Sequence, residues 1–212
     1  MNDSIASALQ ALRDGRPVLV LDDAHRENEG DVILAAATVT PAWMGWTIRH
    51  TSGYICVPMP QIWADRLDLP LMVEANEDPL RTAYAITVDA AQGVTTGISA
   101  TDRAHTINIL GSTESVATDL IRPGHVVPLR ARPGGVLERP GHTEAAVELC
   151  ELAGLTPVAA IAELVDDEGE MLRGDAVRAL GASFVLPVLS VADIVAYRAG
   201  QSPTSEDSRR LS

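Results

Sequence analysis

Lysine is missing. All sixteen positive side chains among the 212 residues are arginine, which excludes Schiff-base aldol chemistry, pyridoxal phosphate attachment and a P-loop lysine. Any carbanion or enolate formed here must be stabilised by a metal ion, by hydrogen bonds or by arginine. Cysteine is scarce. Cys56 and Cys150 lie in apolar runs without Cys-x-x-Cys spacing, so neither a disulfide framework nor a zinc ribbon is expected, and both read as core residues. No apolar run approaches the ~18 residues of a membrane span. The polar start Met1-Asn2-Asp3-Ser4 lacks the basic opening of a secretory signal, so a cytoplasmic protein is expected. A net charge of -13 leaves no basic excess for nucleic acid or an anionic membrane as partner.

What is present concentrates in Asp22-Asp-Ala-His-Arg-Glu-Asn-Glu-Gly-Asp31. An extended backbone points Glu27, Glu29 and Asp31 to one side, and a helical turn superposes Glu27 on Asp31. Like charges ~5 Å apart repel by about 3 kcal/mol at an effective dielectric of ~20. The stretch is therefore either a solvated acidic loop or a site for a proton or cation. Its flanks, Val18-Leu-Val-Leu21 and Val32-Ile-Leu-Ala35, read as buried strands that would hold the loop in place.

An apolar content of 46% with mixed helix and strand signals predicts one domain over residues 1–200. Residues 201–212 are polar and aperiodic, and read as a disordered tail. Residues 4–14 have helical spacing, and Thr40-Pro41 opens a second helix carrying Trp43, Met44 and Trp46, for core or subunit contact. Residues 54–57 and 83–90 read as strands, and residues 76–80 as a mobile loop. Thr96-Gly-Ile-Ser-Ala-Thr-Asp-Arg103 is dense in glycine and hydroxyls before a helix, which suits either an anion site or a plain N-cap.

Arg-Pro-Gly occurs three times, at Arg122, Arg132 and Arg139, and the first and third copies continue into His125 and His142. Each copy alone reads as a surface turn; together with Arg130 they suggest a local positive pole. A helix begins near Thr143, so Arg139-Pro140-Gly141-His142-Thr143 would form a phosphate seat at its N-terminus. Glu163 interrupts the apolar run 158–165 and is either paired structure or a site residue. Residues 185–189 read as a strand, and Ser190 with Asp193 caps a last helix. Carboxylates with one or two imidazoles and no thiolate favour magnesium or manganese over zinc.

These blocks, with His50-Thr-Ser-Gly53, resemble in kind and order the signature of the 3,4-dihydroxy-2-butanone 4-phosphate synthase family, over roughly residues 5–197. The resemblance implies a lyase of riboflavin biosynthesis that converts ribulose 5-phosphate to 3,4-dihydroxy-2-butanone 4-phosphate and formate. It also implies a single three-layer α/β/α domain with a mixed, twisted sheet. Two Mg2+ (or Mn2+) ions per site would be held by Glu27 and His142. Arg26, Glu27, Asp31, Arg139, Pro140, Gly141, His142, Thr143 and Glu163 would bind substrate. His125 and Glu163 would be essential to turnover, with Asp31, Glu29 and Cys56 also at catalytic positions. A homodimer with sites near the subunit contact is implied, in the form without a fused GTP cyclohydrolase II half. Two rivals remain on the residues alone: a metal-dependent sugar-phosphate isomerase and a non-catalytic metabolite-binding relative.

Overall fold

The computed structural model describes residues 3–201, so the expected tail lies, Gln201 apart, outside the described residues. In chain order the strands are β1 (Val18–Leu21), β2 (Gly30–Ala35), β3 (Cys56–Pro60), β4 (Val88–Ala90), β5 (Leu120–Ala131), β6 (Ala159–Glu163) and β7 (Val188–Ser190). The helices are α1 (Asp3–Arg13), α2 (Pro41–His50), α3 (Gln61–Arg66), α4 (Ala100–Gly111), α5 (Gly135–Glu138), α6 (His142–Leu152), α7 (Gly174–Phe184) and α8 (Val191–Gln201). The strands form one sheet in the order β4-β5-β3-β6-β2-β1-β7. Pairs β1–β7 and β3–β5 are parallel and the other neighbours antiparallel.

Alternation along the strands separates two cores, because successive side chains point to opposite faces. Leu19, Leu21, Val32 and Leu34 pack with Met44 and Trp46 of α2, Ile107 and Leu110 of α4 and Val177 of α7. Val18, Val20, Ile33 and Ala35 pack with Ile5 and Leu12 of α1, Leu149 and Cys150 of α6 and Ile194 of α8. The result is the expected three-layer α/β/α arrangement on a mixed sheet. Each fully buried leucine or isoleucine contributes about 1.5–3 kcal/mol.

Caps follow the sequence. The Thr40 side chain accepts from Trp43 N, and Ser99 accepts from Asp102 N. Ser190 and Asp193 bond reciprocally at the start of α8.

Four expectations need correction. The strand placed at residues 54–57 is Cys56–Pro60. It pairs with β6 only at Cys56, so beyond that point one flank carries no ladder and Pro58 and Pro60 are tolerated. Residues 83–90 are not one strand: Tyr84 and Ala85 form isolated bridges, and only Val88–Ala90 is regular. Val185 caps α7 at φ 54 rather than opening a strand, which begins at Val188. Finally, the first Arg-Pro-Gly is no surface turn but lies inside β5. There the register against β4 passes from Val88↔Val126 to Asp89↔Ile121. Residues 122–125 form the excursion that results, a bulge that carries proline and glycine without breaking the pairing on either side.

Candidate active site

One end of the sheet gathers the chemistry. The end of β1, the start of β2, the end of β6 and the start of β3 adjoin there, with Asp31 opposite Glu163 and Cys56 opposite Ile161. Residues 22–29 turn between β1 and β2, closed by Asp22 N donating to Glu29 O. Asp22 holds this loop from inside: its Oδ2 accepts from Arg26 Nη1 at 2.7 Å and from Glu27 N at 3.1 Å. The acidic stretch is thus a built loop.

His142, the first residue of α6, is buried and its Nε2 lies 3.1 Å from the Val20 carbonyl. A carbonyl only accepts, so Nε2 carries the hydrogen and Nδ1 is turned to the carboxylates. Glu27 Oε2 lies 3.3 Å and Asp31 Oδ1 3.5 Å from that Nδ1. Burial alone would lower the pKa of His142, but the charge of Asp31 and the hydrogen bond and charge of Glu27 push it up to about 9. Burial pushes the Asp31 carboxyl up to about 7, helped by Glu163, Glu27 and Glu29 and opposed by His142. Burial also raises Glu27, but its bond to His142 and the charges of Arg26, His142 and Arg139 outweigh this and hold it low.

The donor set fits a hard divalent ion. Asp31 Oδ1 is buried with no hydrogen-bond partner, a costly state that a cation would relieve. Cis ligands at about 2.1 Å on an octahedral ion lie about 3 Å apart, close to the Glu27–His142 separation. Among the described residues no group of three or more His, Cys, Asp or Glu side chains cages an ion.

The anion seat lies alongside. Gly141 is the N-cap of α6 and no side chain caps the helix. A Cβ on Gly141 would stand 2.7 Å from Arg26 Nη2 and 2.8 Å from Arg139 Nη1; glycine there lets two guanidinium groups converge at a helix start. Arg139 is braced by Glu144 Oε2 at 2.7 Å and by Thr82 Oγ1 at 3.2 Å.

A 290 Å³ cavity joins these groups, lined by Arg26, Glu27, Glu29, Asp31, Cys56, Arg139, His142, Thr143 and Glu163 among others. Glu163 ends β6 and accepts from Ser52 Oγ at 2.7 Å; it sits at a strand end and needs no burial inside the sheet. Burial raises the Cys56 thiol well above its usual range, followed by the charges of Glu163 and Asp31, so it is a neutral wall residue. A larger cavity of 870 Å³ between α3, α6 and α8 does not include the carboxylate–imidazole pair.

Three placements differ from what the sequence suggests. Pro140 does not line the site cavity but a neighbouring one, with Arg26 and with Val191 and Val195 of α8. His125 lies outside the cavity, bonded to Asp89. The arginines of residues 122–139 do not form one positive pole. Arg122 bonds the carbonyls of Leu67 and Leu120, and Arg130 bonds Asp65 and the Leu69 carbonyl, so only Arg139 reaches the site.

Sequence reasoning missed Thr82 and Tyr84, which line the cavity with Asp78 and Leu80. Nothing in their local pattern marks them; a loop tied by Asn76 Nδ2 to Thr82 O and by Thr82 N to Asp78 Oδ2 brings them there. It also missed Asp89, whose spacing reads only as a strand end.

Comparison with known proteins identifies the family. The family model for 3,4-dihydroxy-2-butanone 4-phosphate synthase matches residues 6–197. The riboflavin biosynthesis protein RibBA of Salinispora arenicola is 54% identical over 92% of this chain and 46% of its own length. The chain spans about half the length of the first curated relatives it matches. The 3,4-dihydroxy-2-butanone 4-phosphate synthase of Schizosaccharomyces pombe is 52% identical over 93% of this chain and 98% of its own. A crystal structure of such a synthase with two magnesium ions superposes with a TM-score of 0.90 at 46% identity, covering 93% of this chain and 97% of that one.

Proposed function

We infer the reaction from one premise: the chain belongs to the 3,4-dihydroxy-2-butanone 4-phosphate synthase family. We propose that it converts D-ribulose 5-phosphate to 3,4-dihydroxy-2-butanone 4-phosphate and formate, a lyase step of riboflavin biosynthesis. The observation that carries this is the juxtaposition, in one cavity, of the Glu27–His142 pair and the Arg26–Arg139 gap over Gly141. A cation site beside a phosphate seat is what a chain without lysine requires for enolate chemistry on a sugar phosphate.

In this reading Arg26, Arg139 and the first amides of α6 seat the phosphate, and Thr143 adds a hydroxyl. Magnesium or manganese held by Glu27 and His142 would supply Lewis acidity to the substrate carbonyl and adjacent hydroxyl, and the two ions in the solved relative support a pair here. Glu29, Asp31 and Glu163 line the wall beside that pair and are the groups within reach to take and return protons. Glu163 is oriented by Ser52. Cys56 excludes water as a neutral thiol.

The active unit is proposed to be a homodimer. His125 lies outside the cavity with a side chain 41% exposed, and Ile121, four residues before it, is exposed as well. A second copy could bring His125 to a facing site. Mixing Glu27→Ala and His125→Ala subunits would then restore turnover. Among the described residues no helix is long and apolar enough to cross a membrane; a phosphorylated substrate and two free buried cysteines support a cytoplasmic setting.

The deciding experiment is formate release from D-ribulose 5-phosphate. Mg2+ should be required, chelator should stop release, and Glu27→Ala should be inactive. A five-carbon ketose or aldose product in place of formate would mean an isomerase instead.

A further inference from the structure

We propose that Asp89 is a positioning residue for turnover: it fixes the tautomer and direction of the His125 ring. The proposal rests on the reading of His125 as essential given above. Asp89 is buried, 4% exposed, at the β4 bulge. Both its oxygens are used on one residue: Oδ1 accepts from His125 N at 2.9 Å and Oδ2 lies 2.6 Å from His125 Nδ1. A carboxylate only accepts, so Nδ1 carries a hydrogen, which in the neutral ring leaves the lone pair on Nε2. Among the described residues no hydrogen bond reaches Nε2, and the side chain is 41% exposed. The ring is therefore set to exchange a proton through Nε2.

The surroundings are arranged for this pair. Gly97, at φ +90, lies against it: a Cβ there would stand 2.1 Å from Asp89 Oδ2 and 2.7 Å from His125 Nδ1. Asp102, in the first turn of α4, holds this glycine loop by accepting from Gly97 N at 3.1 Å and from Thr95 Oγ1 at 2.7 Å. Arg103, buried on the same helix, donates to the Gly53 carbonyl at 2.9 Å, next to the Ser52 that orients Glu163. The glycine and hydroxyl block at residues 95–103 is thereby explained as the cover and brace of the Asp89–His125 pair rather than as an anion site.

The test compares Asp89→Asn, His125→Ala and the double variant on the intact protein with Mg2+, alongside the imidazole 15N shifts of His125. Asparagine keeps the shape but can present an N–H to Nδ1, which reverses the tautomer. The expected result is a kcat loss of roughly 100- to 10,000-fold in Asp89→Asn with KM within about twofold. The double variant should be no slower than His125→Ala, and the 15N shifts should report hydrogen moving from Nδ1 to Nε2. An unchanged tautomer, a further loss in the double variant, or full turnover in Asp89→Asn beside an inactive His125→Ala overturns the role of Asp89. Full turnover in His125→Ala overturns the reading of His125 itself. Gly97→Ala, which acts on the pair from outside, should lower kcat in the same sense while folding is checked by melting.

Discussion

Two copies of one tetrapeptide, Arg122-Pro-Gly-His125 and Arg139-Pro-Gly-His142, end in histidines with opposite assignments. In the strand copy, Nδ1 is committed to Asp89 and Nε2 is open. In the helix copy, Nε2 is committed to the Val20 carbonyl and Nδ1 meets Glu27 and Asp31. One ring is part-exposed and bonded to its partner through Nδ1 alone. The other is buried among three carboxylates, with Asp31 Oδ1 left unsatisfied. Identical local sequence thus leaves Nε2 free in one place and turns Nδ1 to carboxylates in the other; the partner on the second nitrogen decides which.

The largest effects should come from the buried copy. If Glu27 and His142 hold the ion as proposed, Glu27→Ala or His142→Ala should cost several kcal/mol of transition-state stabilisation, roughly 1,000-fold or more in turnover. Mn2+ binding, followed by paramagnetic relaxation, should disappear with it. His125→Ala should instead leave Mn2+ binding intact while kcat falls, by roughly 100-fold or more. Equal loss of metal in both would erase the contrast between the two histidines.

Next comes the seat that only the helix copy builds. Gly141→Ala displaces the flexible ends of Arg26 and Arg139, so KM should rise about tenfold and inhibition by inorganic phosphate should weaken similarly, with melting little changed. A variant with normal KM would show that the phosphate sits elsewhere.

A pH series sharpens the comparison further. His142 is raised from 6.5 to about 9, so its proton stabilises the metal-free fold fully below pH 6.5, and that contribution is lost as pH rises toward 9. The ion needs the deprotonated Nδ1. Mg2+ affinity should therefore climb with pH over the same window, by at most about tenfold per unit, and the Mg2+-induced rise in Tm should widen. A flat profile would mean that His142 gives up no proton to the ion. The smallest effect should belong to Cys56→Ala: a neutral buried wall residue should cost about 1 kcal/mol of stability and leave turnover within a few-fold.

The acidic loop and the helix start were legible because each carries its function in adjacent residues: charges too close to coexist without a counter-ion, and proline, glycine and a hydroxyl before an amphipathic run. The first Arg-Pro-Gly was misread for the same reason. Its residues favour turns locally, yet β4 pairs with β5 on both sides of them and holds the segment in a strand with a bulge. Thr82, Tyr84 and Asp89 had no local mark at all. Their roles depend on a loop brace and on a strand register set from far along the chain.

Composition and spacing alone determined that any enolate chemistry here must run without a lysine amine and that alternating apolar runs would build a layered sheet. Those are properties of side-chain types and periods, which need no long-range contact. Tertiary structure alone decided that residue 142 meets residue 27 and that His125 turns to Asp89. A hydrogen bond or a shared ion depends on ångström-scale distances between segments up to 122 positions apart, and only the packed sheet sets those distances.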